Sequence, residues 1–303
     1  MHEGMFPQLR CRDADVRAAG DNMTFARQHE RHLIRSPLRY PGSKAFLVDT
    51  VKHIIKNSVF IEAYAGSAIL SLNLARSVKC IVINDIDPSI YSFWLAVRDN
   101  SKQLSGMVLS CEISINEWIR QREIYNSKEI SLESGFAFLY LNRTNFSGMA
   151  IASPIGGMEQ DGKYKINARF HRSSISKWIL KANGLLAKAD ILNQDALSLC
   201  HEDGFLYLDP PYLGIDGRIY RYNYTITDMQ KILDELKKRR QPWLLSHNPN
   251  NWMESALTEF YRMDIDHRYG IKTPYEKGTV ENIWSNVPIA RQTKLMEIEK
   301  VMT

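Results

Sequence analysis

The run Gly204-Phe205-Leu206-Tyr207-Leu208 stops at an acid, two consecutive prolines and an aromatic ring, Asp209-Pro210-Pro211-Tyr212. Its apolar part has the composition of a buried β-strand. Neither proline carries an N–H for a sheet ladder, so the strand cannot continue through them. Asp209 and Tyr212 are therefore predicted at the carboxyl edge of a sheet, where open α/β sheets bind their ligands. The tetrapeptide alone is open to a plainer reading, a strand that ends in a turn, and the rest of the chain has to decide.

The alternation that such a sheet requires lies on both sides. Val59 to Tyr64 reads as a buried strand, Ala65-Gly66-Ser67-Ala68 as a small-residue turn, and Ile69, Leu70, Leu72 and Leu74 as the apolar face of a helix. Lys79 to Asp85 is a second strand ending in an acid, with a helix after it through Ile90, Phe93, Trp94 and Val97. Asp85 lies about twenty residues beyond the turn, the distance at which Rossmann-like units set a carboxylate on ribose hydroxyls. That favours a nucleoside-bearing cofactor over a bare scaffold. The pattern returns at Ala189–Asn193, with Asp195 just past the strand, and continues through the Asp209 strand. Thr227-Asp228-Met229-Gln230 then reads as a capping box opening a helix with Met229, Ile232, Leu233 and Leu236 on one face. Strands at 242–246, 260–265 and 281–284 are expected to close the sheet. Upstream, Gly42-Ser43-Lys44 precedes another helix. It is either an anion cradle or a tight turn with a solvated lysine, and it lacks the Walker A spacing.

Residues 100–188 break the alternation. Helical patterns near 115–126 and 134–142 lead into a polar segment from Asn142 to Gly148. Between Gly162 and Ala189 there are seven Lys/Arg and no Asp or Glu, interleaved with Tyr164, Phe170 and Trp178. A one-signed, aromatic-laced stretch inside a globular chain fits contact with a phosphate backbone better than a merely solvated face. The stretch is read as an inserted recognition subdomain.

Composition excludes other classes. A chain of 303 residues with 44% hydrophobic and 24% charged residues suits a soluble globular protein with a large core. No apolar run is long enough to span a bilayer, and no signal-peptide pattern opens the chain, so a cytoplasmic, nucleoid-associated protein is expected. The four cysteines are scattered without C-x-x-C spacing and read as reduced thiols. Neither they nor the histidines form a metal-ligand pattern, and no metal is expected.

The chemistry available at the strand end is specific. Asp209 and the Pro210 carbonyl form two rigid acceptors, suited to a group with two donor hydrogens such as the exocyclic amine of a nucleobase. Tyr212 offers a ring face for stacking. Such an amine is a poor nucleophile because its lone pair is delocalised. Accepting both hydrogens favours pyramidal nitrogen and frees the pair for in-line attack. With S-adenosylmethionine in the Asp85 half, the electrophile is a sulfonium methyl.

Taken together, these segments resemble the Dam-like DNA adenine methyltransferases, from about Ser36 to Pro288. Leu38-Arg39-Tyr40-Pro41-Gly42-Ser43-Lys44 resembles the family's N-terminal cofactor motif, and Phe60 to Ser67 its glycine-containing cofactor loop. Ala63 stands where proline is common and Ala68 where a second glycine is expected. Asn84-Asp85-Ile86-Asp87 resembles the ribose-holding acidic motif, Tyr140 to Gly148 a signature of the recognition insert, and Tyr275 to Asn286 the closing segment. Asp209-Pro210-Pro211-Tyr212 matches the catalytic tetrad without a substitution. The resemblance implies a Rossmann-like S-adenosylmethionine-dependent α/β sheet, with helices on both faces and a mostly helical DNA-recognition insert. It implies cofactor contacts from Tyr40, Pro41, Gly42, Lys44, Glu62, Tyr64, Gly66, Asp85, Ile86, Asp195 and Asp209. DNA contacts are expected from Asn142, Arg143, Asn145, Lys163, Lys165, Arg169, Arg172, Arg218, Arg221 and Tyr222, with Arg143 and Asn145 as base-edge readers.

The expected layout is an extension at 1–34, a catalytic domain at 35–99 and 189–290, the insert at 100–188, and a tail at 291–303. The expected partners are double-stranded DNA and a restriction or defence system. Three rival functions stay open on sequence alone: the same chemistry on cytosine or RNA, a catalytically silent DNA-binding subunit, and a small-molecule amine methyltransferase.

Overall fold

The computed structural model describes residues 33–40, 42–55, 58–213, 221–267 and 279–289. The expected 1–34 extension, except its last two residues, and the 291–303 tail lie outside them, as do Pro41, Arg218 and the Tyr275–Gly278 part of the closing segment.

A short 3-10 turn, Ala45–Leu47, runs into α1 (Val48–Ile54) and then β1 (Val59–Glu62), α2 (Ile69–Leu74), β2 (Cys80–Asn84) and α3 (Pro88–Asp99). Four long helices follow: α4 (Ser101–Ser110), α5 (Ile115–Ser127), α6 (Leu132–Thr144) and α7 (Arg172–Leu186). The alternation then resumes with β3 (Asp190–Leu192), α8 (Ala196–Leu199), β4 (Phe205–Leu208), α9 (Ile226–Lys238) and β5 (Trp243–His247). The last elements are α10 (Asn251–Ala256), β6 (Tyr261–His267) and β7 (Thr279–Ser285).

The strands form one seven-stranded sheet in the order β3-β2-β1-β4-β5-β7-β6, parallel from β3 to β5, with β7 antiparallel to both of its neighbours. This is the Rossmann-like α/β sheet expected. Strand order reverses between β1 and β4, so their carboxyl ends, Glu62 and Leu208, open side by side at the switch point.

The side-chain alternation of strands divides the core into two layers. Phe60, Ile81, Ile83, Phe205 and Tyr207 face one layer; Ile61, Val82, Leu206, Leu208 and Trp243 face the other. The second layer is closed by α9, whose Met229, Ile232, Leu233 and Leu236 are buried. Each such aliphatic side chain stabilises the fold by roughly 1.5–3 kcal/mol. The capping box of α9 is present but sits two residues earlier than read, with Thr225 as N-cap and Asp228 returning the bond. The intervening Ile226 and Thr227 complete the required S/T-x-x-D spacing.

The first layer takes in residues of the 100–188 stretch. Leu104 and Val108 of α4, Tyr125 of α5, Phe136 to Leu141 of α6, and Ile175, Ile179 and Leu186 of α7 share one apolar cluster with the sheet. The α6 helix crosses α3 so closely that a Cβ on Gly135 would lie 2.7 Å from the Ser92 carbonyl oxygen. Only glycine permits that approach. Lys177, Lys181 and Lys188 of the basic stretch are exposed, the first two on the outer face of α7, opposite its buried Ile175, Ile179 and Ala182.

A candidate active site at the switch point

The carboxyl ends of β1 and β4 open into a cavity of about 410 Å³. One end is built around Asp209. Lys44, only 3% exposed, places Nζ 2.9 Å from the Asp209 carboxylate, 2.9 Å from the Gly42 carbonyl and 3.1 Å from the Tyr212 hydroxyl. The solvated-lysine reading of Gly42-Ser43-Lys44 thus fails, and so does the anion cradle, because the ammonium is committed to acids. Ser246 Oγ donates to Asp209 Oδ1 at 3.0 Å and lies 2.8 Å from the Tyr207 hydroxyl, which steadies the carboxylate from below.

Behind these groups lies Glu281 of β7. Tyr212 donates its hydroxyl proton to this carboxylate, whose oxygens lie 2.8 and 3.0 Å away, and Lys44 Nζ is 3.4 Å distant. The Tyr212 ring packs beside His247, with centroids 5.0 Å apart. His247 takes the Leu213 N–H on Nε2 and faces the Asn248 carbonyl through Nδ1, the arrangement of a neutral ring, and burial pushes its pKa down.

The other end of the cavity is formed by the β1–α2 turn and the end of β2. Gly66 has φ +43°, and a Cβ there would meet the Tyr40 ring at 2.8 Å. The ring can lie flat on the loop because no side chain intervenes. Trp94 Nε1 donates to the Gly66 carbonyl, and the Gly66 N–H donates to Asp85 Oδ2 at 3.0 Å. Ala68 adopts φ +47°, so the loop keeps a left-handed residue where the family commonly has a second glycine. Burial raises the pKa of Asp85 to about 7, against the opposing hydrogen bonds from the Asp87 and Gly66 N–H groups. Burial likewise raises Glu62 to about 7, although Ser71 donates to it through both N–H and Oγ.

Of the expected cofactor contacts, Tyr40, Gly42, Lys44, Glu62, Tyr64, Gly66, Asp85, Ile86 and Asp209 all line this one cavity. Asp195 does not: it is exposed and caps α8, accepting the Leu197 N–H. Pro210, Pro211 and Tyr212 complete the Asp209 rim. Arg221 and Tyr222, expected on DNA, also line the cavity. Arg221 stacks 3.6 Å from the Tyr125 ring centroid, donates to the Tyr125 carbonyl and pairs with Asp87 at 3.6 Å. It ties the residues just before α9 to α5 rather than offering a loose cation.

The base-edge readers need correction. Asn142 and Asn145 are fully buried and Arg143 is 5% exposed. Asn142 bridges Arg39 and the Gly148 carbonyl; Asn145 joins Trp118 to the Met149 and Ala150 carbonyls. Arg143 donates to the Pro37 carbonyl and lies over Trp178, and burial lowers its pKa to about 9. These residues hold the Leu38–Tyr40 segment against α6 and cannot reach a groove. Arg172 is likewise engaged, with the Val108 carbonyl and Cys111. Lys163, Lys165 and Arg169 are exposed, as are Tyr164 and Phe146, the last two at 63% and 65%.

Glu281, Ser246, His247 and Asp87 were not singled out from sequence. Glu281 carried a signal: an acid inside the apolar strand pattern Val280-Glu281-Asn282-Ile283-Trp284 has to be paired if buried. Among the described residues, no group of three or more His, Cys, Asp or Glu is placed to hold a metal ion, and no helix is long and apolar enough to cross a membrane.

Comparison with known proteins bears on this site. The family model of the D12 class N6 adenine-specific DNA methyltransferases matches residues 40–271, which include both ends of the cavity. A DNA adenine methylase of Salmonella typhi is 25% identical over 243 residues, covering 76% of this chain and 84% of that protein. The Retron Ec67 DNA adenine methylase of Escherichia coli is 24% identical over 261 residues, covering 81% and 89%. The DNA adenine methylase of Escherichia coli strain K12 is 24% identical over 227 residues, covering 71% and 81%.

Proposed function

The chain belongs to the D12 class N6 adenine-specific DNA methyltransferase family, and from that premise we propose that it methylates, from S-adenosylmethionine, the exocyclic amine of an adenine turned out of a DNA duplex. The observation that carries this reading is the single cavity joining Asp209 and Tyr212 at one end to Gly66 and Asp85 at the other.

The residues of the second end fit S-adenosylmethionine. Asp85 is a half-buried carboxyl at the cavity wall, suited to accept ribose hydroxyls, and the side-chain-free surface at Gly66 lets Tyr40 form a flat wall. When bound, the cofactor supplies a methyl group on a sulfonium sulfur, electrophilic enough for a weak amine. Asp209 and the Pro210 carbonyl accept the two amine hydrogens, which localises the lone pair on nitrogen. With such a donor held against Tyr40 and Asp85, the freed lone pair would take the methyl group, and the electron pair of the broken C–S bond would stay on sulfur. The cationic amine then sheds one proton to Asp209. Tyr212 holds the base plane against its ring, and its hydroxyl is pinned by Glu281. Fixed acceptors of this kind lower the barrier electrostatically, while positioning supplies the entropic part.

Turning a base out of the stack costs a few kcal/mol, and contacts around the cavity mouth have to offset it. The exposed cations Lys163, Lys165 and Arg169 suit phosphates. Arg39 joins them: burial and the nearby Arg169 lower its pKa, the situation of a guanidinium that an incoming anion would relieve. Phe146, exposed beside the 148–151 segment of the cavity rim, is placed to act as an apolar wedge.

The test is expression in a methylation-free host with sequencing of modified bases, together with labelled methyl transfer to duplex DNA, single-stranded DNA and RNA. N6-methyladenine at one recurring motif in duplex DNA is expected. Methyl transfer to RNA or to single strands alone would overturn the duplex reading. DNA binding without transfer would favour the catalytically silent subunit.

A further inference from the structure

The Lys44 ammonium sits between two carboxylates, 2.9 Å from Asp209 and 3.4 Å from Glu281. Glu281 is 1% exposed and stands behind the cavity wall on β7, the antiparallel strand beside β5. Holding the Tyr212 hydroxyl does not require an acid, because a glutamine oxygen accepts the same hydrogen bond. What only an acid supplies is a second counter-charge for Lys44. Burying one is costly unless it is matched to a cation.

The Asp209 carboxylate is crowded as it stands. Lys44 bonds to both of its oxygens and Ser246 to Oδ1. A base amine docking on Asp209 competes with the ammonium for the same lone pairs. The competition sharpens during transfer, because the amine nitrogen becomes cationic beside a second cation.

We propose that Glu281 is a positioning residue that receives the Lys44 ammonium when the adenine amine docks on Asp209. Glu281 thereby frees the Asp209 acceptors, keeps Lys44 inside the site and keeps the Tyr212 ring at its post. This inference rests on the proposed function, since it presumes an amine at Asp209.

The first test is the single-turnover rate of methyl transfer at saturating DNA and cofactor. Glu281→Gln should lower that rate about 10- to 100-fold, the usual cost of losing an outer group that orients the contacting ones. Dissociation constants for cofactor and DNA should stay within about threefold, because the loss falls on the transition state. Lys44→Met should mask the effect: in that background Glu281→Gln should cost less than about twofold. An active wild type with Glu281→Gln at full rate, or with equal losses in both backgrounds, would overturn the inference and leave the methyltransferase reading intact. The second test needs no variant. In a complex of the wild type with target DNA and S-adenosylhomocysteine, Lys44 Nζ should lie closer to Glu281 than to Asp209; an ammonium still seated on Asp209 would overturn the proposal even where Glu281→Gln does not fold. A wild type that moves no methyl group to DNA would bring down the functional reading and this inference together.

Discussion

The two ends of the cavity treat buried charge in opposite ways. Around Asp209 the acids are matched: Lys44 is shared between Asp209 and Glu281, and Tyr212 and Ser246 donate to them. Around Asp85 they are matched only in part: Arg221 pairs with Asp87 at 3.6 Å, and no cation of the described residues pairs with Asp85 itself. Its oxygens accept backbone N–H groups of Gly66 and Asp87, and the charge that acts on it most is another acid, Asp87. The first end has its charges balanced within itself, so a neutral substrate brings no charge that needs a new partner. The second is held at a cost that hydroxyl donors of a ligand can relieve. On the proposed function, one end therefore serves rate and the other affinity.

The sharpest way to break that contrast is Asp209→Asn. An amide in this position presents a donor toward the amine and loses the charge that stabilises a cationic nitrogen. Transfer should fall by about 10³-fold or more, in line with removal of a preorganised electrostatic partner. Cofactor affinity, measured by calorimetry, should change little. A large loss of affinity instead would mean that the two ends are not separable.

Asp85→Asn is the converse. Hydrogen bonds to a charged group contribute about 1.5–3 kcal/mol, so the cofactor dissociation constant should rise about 10- to 100-fold. The rate at saturating cofactor should stay within a few-fold. The free protein should gain a little thermal stability, because a half-buried acid beside Asp87 has been removed. A lower melting temperature would show that Asp85 is matched after all.

The same contrast predicts a pH dependence. The folded-state pKa of Asp85 rises from 3.8 to about 7 and that of Glu62 from 4.5 to about 7. Between those limits the folded protein binds more protons than the unfolded one, so stability falls as pH rises from about 4 to about 7 and levels off above. On the proposed function, ligand binding needs the Asp85 carboxylate and reverses the preference. Cofactor affinity should therefore drop, by up to about tenfold, between pH 7 and pH 6, with proton release on binding near neutrality. Calorimetry in two buffers of different ionisation enthalpy checks this. Affinity independent of pH from 6 to 8 would place the Asp85 pKa well below the window.

Much of this could be read from the chain and some could not, for physical reasons. The strand ends at Asp85 and Asp209 were legible because apolar runs that stop at an acid have few other places to go in an α/β sheet, whereas the first strand was read on to Tyr64 and ends at Glu62. The polar run at Asn142–Asn145 misled because polarity was taken for exposure. Its host helix is apolar on every side from Phe136 to Leu141, and such a helix buries its last turn as well. In the same way α7 hid inside a basic stretch, where its Ile175, Ile179, Ala182 and Leu186 carry the helical period. Glu281 was the hardest to assign, since its partners Lys44 and Tyr212 come from two distant segments and only the sheet order brings β7 beside β5.

The smallest expected effect tests what holds the matched end together. Tyr212→Phe keeps the ring but removes the hydroxyl that lies between Lys44 and Glu281. If the counter-charge is the main contribution of Glu281, both carboxylates and the ammonium survive this change and transfer should slow only about three- to tenfold, the scale of one or two net hydrogen bonds. Tyr212→Ala, which also removes the stacking face, should add the further loss of about 1–3 kcal/mol typical of base–aromatic contact. Single-turnover rates for the two variants separate the contributions. Equal losses would assign the whole role of Tyr212 to its hydroxyl and make the ring a spacer; a loss for Tyr212→Phe as large as that for Asp209→Asn would show that the hydroxyl itself faces the reacting amine.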